Sequence, residues 1–125
     1  MYDSGKRFLK SFSNAANGIV YLFKSQPNAR IELGITIFVI IAGFILRISN
    51  SEWLIILLCI ALVLGLEGIN TAIEIFTDKV HPNFDPEIGR VKDVAAGATL
   101  IASIVAAIIG FIIFVPKFII LFTNH

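Results

Sequence analysis

Apolar and polar positions follow two different rhythms along this chain. Over residues 5–24, GKRFLKSFSNAANGIVYLFK, apolar side chains return at helical spacing: Phe8, Phe12, Ala15, Ile19, Leu22 and Phe23. Lys6, Lys10, Ser13, Asn14 and Asn17 fall largely on other faces. This pattern predicts an amphipathic helix lying on a membrane surface. SQPN, residues 25–28, breaks it, and Pro27 suits the first turn of a new helix, where its missing N–H has no intrahelical partner to lose. The rhythm then changes to long apolar runs. Residues 31–48 are apolar apart from Glu32, Thr36 and Arg47, and SNSE, residues 49–52, is a short polar turn. Trp53, a usual interface anchor, opens an uncharged run over 53–66. Residues 94–115 carry no charge, and about 20 such residues suffice to cross a hydrocarbon core. Between these runs lies TDKVHPNFDPEIGRVKD, residues 77–93, where Pro82 and Pro86 argue against a continuous helix. The expectation is an all-α integral membrane protein forming one domain over 1–125. It has an N-terminal surface helix over 5–24 and three transmembrane helices over about 29–48, 53–76 and 94–115.

Composition agrees with a membrane as solvent. Of the 125 residues, 57% are hydrophobic and 15% charged, with a mean hydropathy of +0.88. A soluble domain is about 45–50% apolar. The single cysteine, Cys59, excludes an internal disulfide and reads as a small apolar packing residue. The N-terminal residues lack the compact apolar core and small-residue cleavage site of a signal peptide, so the chain is expected to enter the membrane through its own helices. Lys6, Arg7, Lys10, Lys24 and Arg30 precede the first span, and Lys79, Arg90 and Lys92 lie between the second and third. Only Arg47 and Lys117 remain for the other side, which predicts a cytoplasmic N-terminus and a cytoplasmic 77–93 loop. His81 and His125 are isolated in sequence and are expected to be exposed rather than metal-bound. Ala98, Ala102, Ala106 and Gly110 form a row of small residues suited to close helix approach, within the chain and between subunits.

The chemistry concentrates where the second span becomes polar, in LVLGLEGINTAIEIFTDKV, residues 62–80. At about 100° per residue, Glu67, Asn70, Glu74 and Asp78 share one face roughly 80° wide. With Trp53 at the outer interface, Glu67 lies ~21 Å and Glu74 ~32 Å along the helix. The stripe thus starts inside the bilayer and emerges at the cytoplasmic surface. A carboxylate at its buried end can accept a proton from an alcohol. One at its wet end can hold Mg²⁺, which favours a few carboxylates plus substrate phosphates. Lys92 can bind phosphate as a point charge, with Asp93 beside it. A purely structural hydrogen-bonded seam is the competing reading, but intramembrane acids are functional by default. No GxxxxGK[ST], GxGxxG, HRD or DFG motif is present, so a bound nucleotide would use an unconventional arrangement.

These residues resemble a known family. EGINTAIEIFTDKV followed by GRVKDVAAGATLIASIVAAIIG is similar to the small prokaryotic diacylglycerol kinases, which include undecaprenol kinases. The likeness extends from the surface helix through NARIE to the third span. It implies a homotrimer with active sites shared between subunits, in a bacterial inner membrane. It also implies transfer of the γ-phosphate of ATP, with Mg²⁺ as cofactor, to a membrane lipid hydroxyl, and no nucleic-acid partner. By this resemblance Glu67 is the catalytic base and Glu74 a metal ligand that also belongs to the ATP site. Asn70, Lys92 and Asp93 order the nucleotide, and Arg7 lies near it. A second metal-binding glutamate of the family, four residues before the arginine of NARI, is replaced here by Gln26, whose amide can ligate but brings no charge. Weaker metal binding is the expectation. VKDVAAGA looks more like the undecaprenol-kinase branch than the diacylglycerol branch. Two other readings compete: an ion-conducting membrane subunit with Glu67 as its ion-binding carboxylate, and a non-catalytic relative. Proton flux without ATP would mark the first, and loss of lipid phosphorylation the second.

Overall fold

A computed structural model describes residues 3–124; the expectation for His125 lies outside them. Four helices follow in order: α1 (Ser4–Ser25), α2 (Pro27–Ile45), α3 (Asn50–Val80) and α4 (Pro86–Thr123). The last three are long and apolar enough to cross a membrane. Their outward side chains match that solvent: Phe38, Phe44, Leu58 and Phe111 are all about 70% exposed, which water would penalise and acyl chains would not.

The helix ends show why each element starts and stops. Asp3 caps α1, its Oδ1 accepting from Gly5 N at 3.1 Å. At the junction, Pro27 occupies the first turn of α2, as expected, and Gln26 makes no side-chain cap. Arg30 reaches back instead. Its Nη1 donates to the carbonyl oxygens of Phe23 (3.1 Å) and Lys24 (2.8 Å), satisfying the C-terminal carbonyls of α1 from the first turns of α2. At the far end of α2 the chain turns at Arg47, whose φ of 54° is left-handed, while Ile48 N donates to Gly43 O at 3.2 Å. The SNSE turn then proves to be a capping box. Glu52 N donates to Ser49 Oγ (3.2 Å), and Ser49 N to Glu52 Oε1 (2.9 Å). The S-x-x-E spacing was the available signal for it.

No continuous helix runs through 77–93, as expected, but the loop is shorter than expected: α3 runs to Val80 and α4 begins at Pro86. Only 81–85 are non-helical. Pro86 stands in the first turn of α4, where proline costs nothing, and Asp85 caps it through Glu87 N at 2.8 Å. The His81 side chain is 41% exposed, and its Nε2 lies 3.3 Å from Asp85 Oδ2. Pro116 lies inside the last helix, which continues to Thr123. An apolar helix tolerates an internal proline when its neighbours re-satisfy the freed backbone groups.

α3 and α4 pack antiparallel, tied at one end by Lys117 Nζ to Glu52 Oε1 (3.1 Å) and at the other by Lys92 to Asp78. α2 lies antiparallel to α3 on another side. Gly43 permits that approach: a Cβ there would stand 2.6 Å from Trp53 Cη2 and 3.2 Å from Ile48 Cδ1. Ile48, Ile56 and Ile113 form the small apolar cluster beneath. α1 meets α3 only near its own C-terminus, where Leu22 Cδ2 lies 3.6 Å from the Cβ position of Gly68. Residues 3–21 of α1 are exposed in one copy of the chain.

Gly43→Ala should therefore destabilise. The Trp53 ring also packs tilted against Phe44, with centroids 4.9 Å apart and planes at 50°, so it has little room to yield. Overpacking costs about 1–3 kcal/mol, against roughly 0.5–1 kcal/mol of helical gain from replacing glycine. Thermal unfolding in detergent, followed through the fluorescence of Trp53, is expected to show a net loss of about 1 to 2 kcal/mol.

Candidate functional site

Because α3 is helical without interruption from Asn50 to Val80, the polar stripe is one physical surface. Its burial is graded. Glu67 is 5% exposed and Asn70 8%, Glu74 is half-buried, and the side chain of Asp78 is 65% exposed. A carboxylate this enclosed needs donors or a cation nearby, since burying a lone charge is costly.

The antiparallel register decides what faces the stripe. With Glu52 beside Lys117 and Asp78 beside Lys92, Glu67 stands level with Ala102, and Asn70 level with Thr99. Both α4 residues are buried. Ala102 leaves room opposite Glu67, and Thr99 has already committed its hydroxyl to Ala96 O at 2.7 Å. Of the small-residue row, Ala102 is buried within the chain, while Ala106 and Gly110 line a groove of about 510 Å³ against α2. Beside the stripe, a second cleft of about 600 Å³ opens between α3 and α4. Ile69, Asn70 and Ile73 line it from α3, facing Arg90, Val94 and Ala98 on α4.

Of the residues singled out from sequence, the fold brings Glu67, Asn70 and Glu74 together on α3. Lys92 is bound to Asp78 at the stripe's wet end, and Asp93 is exposed next to it. Gln26 sits at the α1–α2 junction, level with Asn70 in the register that Gly43 and Trp53 set between α2 and α3. Arg7 is not brought in. It lies fifteen residues before Leu22, the α1 residue that touches α3, or roughly 22 Å along the helix. Asp85, at the end of the 81–85 connection, is engaged as the cap of α4.

The structure adds two residues that the sequence reading passed over. Glu32 Oε2 and Thr71 Oγ1 are buried without a hydrogen-bond partner among the described residues, as is Asn70 Oδ1. Glu32 was legible as an acid in an apolar run, and Thr71 as the residue one turn beyond Glu67. Both were hidden by the larger signal of the carboxylate stripe.

Comparison with known proteins decides the family. The model described as prokaryotic diacylglycerol kinase matches residues 13–114. The chain belongs to that family. The stripe on α3 and the Lys92–Asp93 pair at the start of α4 both fall within the matched part of this prokaryotic diacylglycerol kinase relative. An undecaprenol kinase from Bacillus subtilis (strain 168) is 38% identical over 111 residues, covering 89% of this chain and 90% of that protein. A diacylglycerol kinase from Synechocystis sp. is 36% identical over 109 residues, covering 86% of this chain; the chain spans 62% of that relative's length. No solved structure matches.

The Arg30 contacts generate a test of how α1 is held. Arg30→Met keeps the apolar stem and removes the donors, at an expected cost of about 1 kcal/mol because the contacts are exposed. Hydrogen exchange of the amides over 20–26 should quicken several-fold, while those of α3 stay unchanged.

Proposed function

We propose that this chain is a lipid kinase that transfers the γ-phosphate of ATP to a membrane lipid hydroxyl, with undecaprenol favoured over diacylglycerol. The carrying observation is the graded stripe: an enclosed carboxylate, Glu67, continuous along one helix face with the exposed Asp78. Such a surface lets a lipid hydroxyl from the apolar side meet a nucleotide from the aqueous side. Glu67 accepts the hydroxyl proton as the lipid oxygen bonds to the γ-phosphorus. The bond to the β,γ-bridging oxygen breaks, and ADP leaves with that electron pair.

The donors suit Mg²⁺ carried in on the nucleotide. No cluster of three His, Cys, Asp or Glu able to hold a metal occurs among the described residues, and Mg²⁺ commonly takes one or two carboxylates plus phosphates. Glu74 would hold it, with Gln26 supplying a neutral amide oxygen; bound there, it would neutralise charge on the phosphates. Asn70, Lys92 and Asp93 order the nucleotide in this reading. The distance of Arg7 from the stripe in one chain supports a site completed by a neighbouring subunit, as in a homotrimer. α1 lies on the cytoplasmic membrane surface, with the 81–85 connection on the same side. The undecaprenol preference draws on the VKDVAAGA segment and on the Bacillus subtilis relative.

The test supplies purified protein in mixed micelles with Mg²⁺ and γ-labelled ATP, giving undecaprenol and diacylglycerol separately. Label should enter undecaprenol faster, and Glu67→Gln should slow transfer by about 10²–10⁴-fold, the usual size of a general-base contribution. Gln26→Glu should lower the Mg²⁺ concentration for half-maximal rate. Label in neither lipid from folded protein, or an unimpaired Glu67→Gln variant, would refute the reading.

A further inference from the structure

Five threonines lie in the described helices, and four treat their hydroxyls alike. Thr36 donates to Glu32 O (2.8 Å), Thr77 to Ile73 O (2.9 Å), Thr99 to Ala96 O (2.7 Å) and Thr123 to Ile119 O (2.9 Å). Each answers its hydrogen-bonding need with a carbonyl of its own preceding turn. Thr71 is the exception. It is 3% exposed, and its Oγ1 is buried without a partner among the described residues.

An unmade bond at a buried hydroxyl costs about 1–3 kcal/mol. The remedy used by the other four is within reach, since the carbonyl of Glu67 lies one turn back. Valine would fill the same space and remove the cost altogether. A buried hydroxyl turned away from an accessible carbonyl is placed for some other group.

Two carboxylates lie within helical reach of Thr71, Glu67 four residues before it and Glu74 three after, and Glu67 is the more enclosed of the two. Thr71 follows Glu67 by four residues, about 40° around the helix, and side chains at this spacing are neighbours. Helical side chains also lean toward the N-terminus, which carries the Thr71 hydroxyl toward Glu67. On α4 the level residue Thr99 is already bonded to Ala96 O, and Ala102 has no polar side-chain atom. Glu32 on α2 stands level with residue 64, seven residues from Thr71 and so about 10 Å along the axis.

We infer that Thr71 is a positioning residue for Glu67: its hydroxyl donates to one carboxylate oxygen when lipid and nucleotide are bound, leaving the other oxygen aimed at the lipid hydroxyl. This rests on the reading of Glu67 as the base. Catalytic hydrogen bonds are often made only in the substrate complex, so the proposal does not require the Thr71–Glu67 bond to be formed in the chain alone. A base fixed by a second side chain keeps its reacting oxygen in the geometry that proton transfer requires.

Thr71→Val and Thr71→Ser test the inference, with thermal stability measured alongside kcat and both KM values. The valine variant should be at least as stable as the native chain, yet its kcat should fall roughly tenfold with KM for ATP and lipid little changed. The serine variant should keep most of the activity, because it keeps the donor. A valine variant with native kcat and higher stability would mean that the hydroxyl is idle and would overturn the proposal. So would serine and valine variants that lose activity equally, which would mean that packing alone matters. Should the valine variant fail to fold, Thr71→Ala against Thr71→Ser gives the same comparison. An active Glu67→Gln variant would remove the base reading itself, whereas an inactive one beside a fully active Thr71→Val would remove only the role of Thr71.

Discussion

The antiparallel pairing of α3 with α4 is the constraint on which the other features depend. It is pinned at both ends by charge pairs, Glu52 with Lys117 and Asp78 with Lys92, and between them the two helices cannot slide without separating both pairs. Both pairs are partly exposed at the helix ends, so they mark the register rather than supply much stability. With that register in place, a small residue, Ala102, stands opposite the enclosed Glu67, and a hydroxyl already spent on its own backbone, Thr99, stands opposite Asn70. The polar stripe therefore faces a surface that makes little demand on it and stays available for ligands.

The remaining helices are attached to this pair by local devices. Gly43 lets α2 close on Trp53, and Arg30 ties the last carbonyls of α1 to the start of α2. Only the C-terminal end of α1 is held in this way. The rest of that helix, Arg7 included, is exposed in one copy of the chain. The Gly43–Trp53 register places Gln26 level with Asn70, with a neutral amide where the resemblance leads one to expect an acid.

A lipid surrounding explains how so thin a bundle can be ordered. Among the described residues few side chains are buried, and the apolar cluster around Ile48, Ile56 and Ile113 is small. In water this would leave the fold without a driving force. In a bilayer the exposed Phe and Leu side chains are already in an apolar medium, and what remains to be satisfied is polar. Glu32 Oε2, Asn70 Oδ1 and Thr71 Oγ1 then stand out as buried polar atoms that make no hydrogen bond among the described residues.

Helical periodicity and apolar run length alone were enough to determine three long apolar helices, a preceding helix with two faces, and the sharing of one face by Glu67, Asn70, Glu74 and Asp78. These depend only on the 3.6-residue repeat and on the cost of polar groups in lipid, which any stretch of chain carries with it. The family was legible for a related reason, because the acids and the amide recur at a spacing that a single helix enforces. Other features depend on which residues meet across helices. Pro116 remains inside α4, and 77–93 reduces to a five-residue connection, with Asp85 capping α4 and Lys92 paired to Asp78 across the two helix ends. Likewise, that Thr71 lacks the bond its four counterparts make was decided by the tertiary structure alone, since hydrogen-bond satisfaction belongs to the surroundings of a side chain and not to its type.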